Sequence, residues 1–331
     1  MNPPLSLLEL SPVGAGVAPS QAVRESVELA RAAERLGFTR FWVAEHHNMP
    51  SIATSAPEVL IAHLAAHTSR IKIGAGGIML PNHTPLRVVE IFRTLEALYP
   101  GRIDLGLGRA PGTDPLTSSA LRRSDDPDVN QLLVELIAFE RGAFPADHPF
   151  RAITPMPSDV RIGAMWMLGS THAGAQIAAQ LGMRYAFAGH FSMRFGKEAL
   201  EIYRRFFQPS DELKKPYAIL AVTAVCAETD EEAQRLAAPL KLAIARSRLG
   251  KPQPIASVED ALAHRFSPDE QAVVDEFFSG ALIGSPDRVA KGLRELAAKT
   301  GADELMLSAL LPDLKARVRS LELIAEAMKS P

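Results

Sequence analysis

Cysteine occurs once in this chain of 331 residues, at Cys226. A single thiol excludes an intrachain disulfide and any cysteine-built zinc site, and it suits a reducing compartment. Surplus charge is missing too: 36 lysines and arginines face 38 aspartates and glutamates, with no basic block. That leaves no electrostatic footing for nucleic acid or an anionic membrane surface. No apolar run reaches the roughly 20 residues a membrane helix needs. The opening MNPPLSLLEL has prolines and a glutamate where a secretion signal carries basic residues before an apolar run. A cytoplasmic protein is the expectation.

What is present is regular punctuation. Apolar segments at 5–10, 38–47, 70–80, 102–108, 161–168, 184–191, 216–228 and 302–310 read as strands, with helical patterns between them. The helix over 18–37 opens at Pro19 and Ser20 and ends at Gly37, the residue suited to a left-handed cap. The helix over 55–68 has Ser55 and Glu58 at capping-box spacing. The charged stretch 228–241 reads as a solvated helix face. Strands apolar on both faces, alternating with helices, imply a parallel sheet covered on both sides.

A closed (β/α)8 barrel and an open doubly wound sheet both satisfy that count. Unusual residues follow five successive strands: Glu45-His46-His47, Gly76-Gly77, Gly108-Arg109, Gly169-Ser170 and His190. A barrel gathers all its strand C-termini at one mouth, whereas an open sheet places its site at a switch point. The pattern favours a TIM barrel, one domain over 1–331, with an insertion at 250–284 able to cover the mouth.

Two chemistries compete at Glu45-His46-His47. One is a buried hydrogen-bonded cluster; the other is an acid–base unit with a histidine oriented by the neighbouring carboxylate. Metal ligation is poorly supported, because adjacent strand residues point to opposite faces and no HxH or HExxH motif accompanies them. A dinucleotide fingerprint fails on register. GxGxxG from Gly74 requires glycine where Met79 stands, and from Gly106 where Pro111 stands. Gly76-Gly77 at a strand end suggests either a bulge or a flat group against bare backbone. Arg109, between glycines, suits a phosphate clamp or a structural ion pair. Gly169, Ser170 and Thr171 lead into a helix whose first-turn N–H groups suit an anion. His63 and His67 fall one helical turn apart among alanines, a packing pattern.

The segments GFTRFWVAEHH, IKIGAGGIMLPNHTPLRVVE, GRIDLGLGRAPG and MWMLGSTHAGAQIAAQLG, in that order, resemble the bacterial luciferase-like flavin monooxygenase family, in its single-chain oxidoreductase branch. The resemblance implies a (β/α)8 barrel binding reduced FMN at the strand C-termini, with His46 catalytic and Glu45 beside it among the cofactor-binding residues. It implies a cis peptide at Gly76–Gly77 under the flavin ring, and phosphate contacts from Arg109, Gly169, Ser170 and Ala173. It implies a monooxygenase that uses dioxygen on a small organic substrate, a separate NAD(P)H-dependent flavin reductase as partner, and a homodimer. The light-emitting members carry a histidine just before the proline after strand three; this chain has Asn82-His83-Thr84-Pro85, which argues against light emission. The alternatives are hydride transfer with the deazaflavin F420, flavin binding without turnover, and, from an unrelated class, a metal-dependent barrel hydrolase. Segments 111–123 and part of 250–284 are the expected lids.

Overall fold

The computed structural model of the protein describes residues 2–121 and 128–329. Its strands are β1 (Leu5–Glu9), β2 (Arg40–Val43), β3 (Lys72–Met79), β4 (Ile103–Gly108), β5 (Ala164–Gly169), β6 (Arg184–Phe187), β7 (Ala218–Cys226), β8 (Leu282–Gly284) and β9 (Glu304–Ser308). All pair in parallel. β1 to β7 follow one another, β9 lies between β7 and β1, and the ring closes. The short β8 extends the far end of β7 outside the ring. This is the (β/α)8 TIM barrel expected from the sequence.

Alternation along the strands builds two cores. In β2, Phe41 and Val43 pack outward against helices, while Trp42 joins Leu8, Trp166, Ile219 and Met306 inside the ring. Because both faces are buried, the strands read as continuous apolar runs rather than alternating ones. Below the apolar interior lies a buried ionic plug. Arg40 Nη1 donates to Asp104 Oδ2 (2.6 Å), and Nε and Nη2 donate to the two oxygens of Glu304 (2.7 and 3.0 Å). Trp42 Nε1, Tyr217 Oη and the Ser6 hydroxyl satisfy further carboxylate lone pairs. The plug closes the floor of the ring and leaves the C-terminal ends of the strands as the open face.

Helix boundaries follow local chemistry, with three departures from expectation. Gly37 adopts φ 86° and ends the first helix as anticipated. The helix Pro57–Ala66, however, starts one residue later than the Ser55–Glu58 box requires, with Ala56 as its cap and no side-chain cap bond. Pro57 fixes the first helical φ and has no N–H to cap, so it sets the start. β2 ends at Val43, so Glu45, His46 and His47 lie in a loop rather than on strand positions.

The third departure is the helix Asp230–Arg248, which is no mere solvated face. Ala233, Ala237, Leu240, Leu242 and Ala243 are buried, and the helix leans over the mouth with the insertion packed against it. The insertion forms helices Val258–Ala263 and Pro268–Phe277. Ile255 N–H donates to Val13 O (2.8 Å) and Ile255 O accepts from Ala15 N–H (2.7 Å), tying the insertion to the loop after β1. Of the expected lid 111–123, residues 115–121 form a helix, and 122 and 123 lie outside the described residues. Among the described residues no helix is long and apolar enough to cross a membrane.

Removing the cation of the floor would leave two carboxylates buried without a counter-charge. Arg40→Met is expected to lower unfolding free energy by about 3–5 kcal/mol, read as a shifted denaturant midpoint. A change within about 0.5 kcal/mol, the range of ordinary surface substitutions, would mean that the plug contributes little.

Candidate active site

The loop after β2 is organised by one sealed carboxylate. Glu45 is fully buried, and its oxygens accept from Met79 N–H (2.7 Å) and Asn82 Nδ2 (2.9 Å). His47 Nε2 lies 3.0 Å from Oε1 and His83 Nε2 lies 2.9 Å from Oε2. Burial pushes the Glu45 carboxyl up, but the hydrogen bonds and charge of His83, with Asn82 and the Met79 amide, outweigh it and hold it below its ordinary value. Asn82 Nδ2 also donates to Pro111 O (2.9 Å), so the same cluster fastens the segment after β4.

His46 is therefore not the partner of Glu45. Its N–H donates to Thr54 O (2.9 Å), and its Nδ1 sits 3.1 Å from Gly112 O. A carbonyl only accepts, so Nδ1 carries the proton and the neutral ring keeps its lone pair on Nε2. Burial depresses the His46 pKa, with the Gly112 carbonyl and Glu45 opposing that shift and His47 adding to it. The neutral form is thus the resting one near pH 7.

His46 stands where two cavities meet. The larger, about 700 Å³, is lined among others by Gly76, Arg109, Gly112, Gly169, Ser170 and Thr171. The smaller, about 260 Å³, extends under the helix Asp230–Arg248. Leu10, His46, His190 and Phe191 border both. Of the residues singled out from sequence, His46, Gly76, Arg109, Gly169 and Ser170 thus converge on one space. Glu45 lines neither cavity and acts from behind the wall. Gly77 and Ala173 border neither.

Arg109 follows the last residue of β4. Its Nε is closed off from water without a hydrogen-bond partner, and no carboxylate among the described residues pairs with the guanidinium. A buried donor left unsatisfied costs about 1–3 kcal/mol, and a planar guanidinium is suited to an anion. Opposite it, Thr171 caps the helix His172–Gln180 without a side-chain bond, leaving the first-turn amides of His172, Ala173 and Gly174 free of capping side chains. The helix starts tight above β5 because Gly169 and Gly174 approach closely: a Cβ added to either would meet the other's Cα at 3.3 Å.

Gly76–Gly77 is a cis peptide, as the resemblance implies, and it sits at a register shift between β3 and β4. The need for glycine here comes from the protein's own packing. A Cβ on Gly76 would come within 2.8 Å of Leu8 Cδ1, and one on Gly77 within 2.6 Å of Gly106 O.

Sequence reading missed the Gly112 carbonyl, since any residue could supply it. It placed His190 at a strand end but gave it no role. His190 borders both cavities, its Nδ1 has no partner, and burial, with the charge of His46 adding, pushes its pKa down to about 4. Among the described residues no group of three or more His, Cys, Asp or Glu is arranged to hold a metal.

The depressed His190 pKa links stability to acid. The folded ring stays neutral to about pH 4 while the unfolded one protonates near its ordinary 6.5, so folding stability falls as pH drops through that window. Melting curves across it should show a shallower decline for His190→Gln than for the native chain. Equal slopes would mean that the ring titrates normally.

Comparison with known proteins agrees with this geometry. The model of the luciferase-like monooxygenase family matches residues 5–304. A luciferase-like monooxygenase of Escherichia coli (strain K12) is 41% identical over 325 residues, 96% of this chain and 95% of that one. The N-acetyl-S-alkylcysteine monooxygenase of Bacillus subtilis (strain 168) is 33% identical over 331 residues, covering 98% of each. The crystal structure of apo-MsnO8 is 40% identical with TM-score 0.90, covering 100% of this chain and 98% of that one. Two more distant structures share the fold. One is the oxygenating constituent of 3,6-diketocamphane monooxygenase from Pseudomonas putida in complex with FMN (21% identity, TM-score 0.75, 98% and 97% covered). The other is an F420-dependent secondary alcohol dehydrogenase (14% identity, TM-score 0.69, 99% of each covered). With its family model spanning most of the barrel and relatives aligned end to end, the chain belongs to the luciferase-like monooxygenase family.

Proposed function

We propose that the protein is a monooxygenase that uses reduced FMN and dioxygen to oxygenate a small organic substrate. The observation that carries this reading is Arg109, whose Nε has no partner among the described residues, lining a cavity together with His46, Gly76, Ser170 and the helix cap Thr171. At about 700 Å³, that cavity falls within the range of about 300–1,000 Å³ usual for ligand pockets. The donor set fits a phosphate: a planar guanidinium, free amides at a helix start, and the Ser170 hydroxyl.

Reduced FMN, when bound, would supply the two electrons that let dioxygen deliver one oxygen atom to the substrate and release the other as water. Arg109 and the 169–173 turn would hold the phosphate. Gly76 would present bare backbone to the ring. His46, pinned through Nδ1–H to Gly112, would offer Nε2 as the site where a proton is taken up or returned. Leu10, Phe191 and the helix Asp230–Arg248 would keep water from the shared space. With Met79 and Pro111 where a dinucleotide fingerprint needs glycine, a separate NAD(P)H-dependent reductase would deliver the reduced flavin. The alanine-rich helix Pro57–Ala66, with Val59 exposed and the His63 and His67 ring centroids 4.3 Å apart at a 53° tilt, would form the face of a homodimer.

The test is a pair of titrations, FMN and F420, followed by oxygen uptake. FMN should bind, and Arg109→Ala should weaken it about ten- to a hundredfold, the worth of a charge-assisted hydrogen bond. His46→Asn should keep FMN affinity within about twofold yet lower product formation by about a hundredfold or more, the usual contribution of a general acid–base group. Binding of F420 without oxygen uptake would replace this reading with hydride transfer. Flavin binding with no product formed by the native protein and no change in any activity in His46→Asn would reduce the protein to a flavin carrier. Failure of both cofactors to bind would remove the function altogether.

A further inference from the structure

We propose that the smaller cavity is the substrate site, and that it selects a small neutral molecule with an apolar body and one hydrogen-bond-accepting oxygen, held by the hydroxyls of Thr223 and Ser308. The inference deepens the monooxygenase reading and rests on it for the word substrate. The binding geometry stands by itself.

The cavity is small, about 260 Å³, and walled by Ile52, Leu240, Ala243, Ile244, Phe277 and Leu310. Apolar walls of this kind hold an aliphatic or alicyclic body without directional demands. The barrel contributes something different. Thr223 on β7 and Ser308 on β9 are register partners on adjacent strands, so their backbones run roughly 4.8 Å apart. Both line the cavity and both are buried, at 6% and 5% exposure. Their side chains make no hydrogen bond with any described residue; the ladder bonds of β7 and β9 are backbone ones. Two neighbouring hydroxyls facing a common apolar space, with nothing of the protein's own to bond, form a ready pair of donors for one acceptor oxygen. His190, whose Nδ1 is also without a partner, lines the same space.

Charge decides the class of ligand. The cavity's arginine, Arg248, is exposed at the rim, its guanidinium 5.7 Å from the Phe277 ring centroid. His46 and His190 both have depressed pKa values. No fixed positive charge therefore meets Thr223 and Ser308, and a carboxylate placed there would be buried without a counter-ion. A ketone, ester or amide oxygen carries no such penalty. Position completes the argument: Leu10, His46, His190 and Phe191 separate this space from the larger cavity, so a molecule seated here lies next to the proposed flavin and within the reach of His46.

The experiment compares two probes of equal shape, cyclohexanone and methylenecyclohexane, by ligand-observed NMR on the native protein and on Thr223→Val/Ser308→Ala, with and without FMN. The double variant should bind cyclohexanone about tenfold or more weakly, the effect of two lost neutral hydrogen bonds, and methylenecyclohexane within twofold of native. It should melt close to the native temperature, because the two hydroxyls open onto the cavity and bond to no described residue; a structural role for the pair would lower it clearly. No binding of cyclohexanone to the native protein, or an equal change for both probes, overturns the proposal. If the ketone pattern holds while FMN fails to bind, the flavin reading falls and the ligand site remains. If FMN binds and the ketone pattern is absent, this inference alone fails.

Discussion

A carboxylate sealed from water must find donors, and Glu45 finds them in three places along the chain. Its bonds to His47, to the Met79 amide and to Asn82 and His83 draw the loop after β2 and the turn after β3 together. Asn82 then reaches Pro111, which fixes the segment after β4, and the neighbouring Gly112 carbonyl receives His46 Nδ1. One buried charge thereby sets the orientation of the histidine without touching it. The cavity shape at the mouth depends on the same chain of bonds, since Met79, His46 and Gly112 all line it.

The barrel divides its polar groups by depth. At the floor, Arg40, Asp104 and Glu304 satisfy one another, and Tyr217, Trp42 and Ser6 complete the network. At the mouth, Arg109 Nε, His190 Nδ1 and the hydroxyls of Thr223 and Ser308 lack protein partners. A floor whose charged groups pair with one another holds the ring closed, with only the Trp166 indole N–H among its buried polar groups left without a partner among the described residues. At the mouth, by contrast, these groups keep hydrogen-bonding capacity that no described residue uses.

The rhythm of strands and helices was legible because it is local. Apolar runs, Pro19 at a helix start and Gly37 at its end each depend on a few adjacent residues. Ser55 was misleading for a reason equally local: Pro57 governs the start of that helix more strongly than a hydroxyl two positions earlier. The helix Asp230–Arg248 was misread because its charged residues dominate the pattern while its small alanines, which pack toward the mouth, carry little signal.

The chain's sequence alone determined the barrel, the set of strand ends that bear unusual side chains, and the family whose motifs they form, since all three are written in spacing and residue type. Only the tertiary structure decided which groups meet. It assigned Glu45 to His47 and His83 rather than to His46, and traced the glycine pair to the packing of Leu8 and Gly106. It also placed Thr223 beside Ser308, 85 positions away in the numbering but adjacent in register. Such pairings arise where distant strands close a ring, and closure is a property of the whole fold that no window of residues contains.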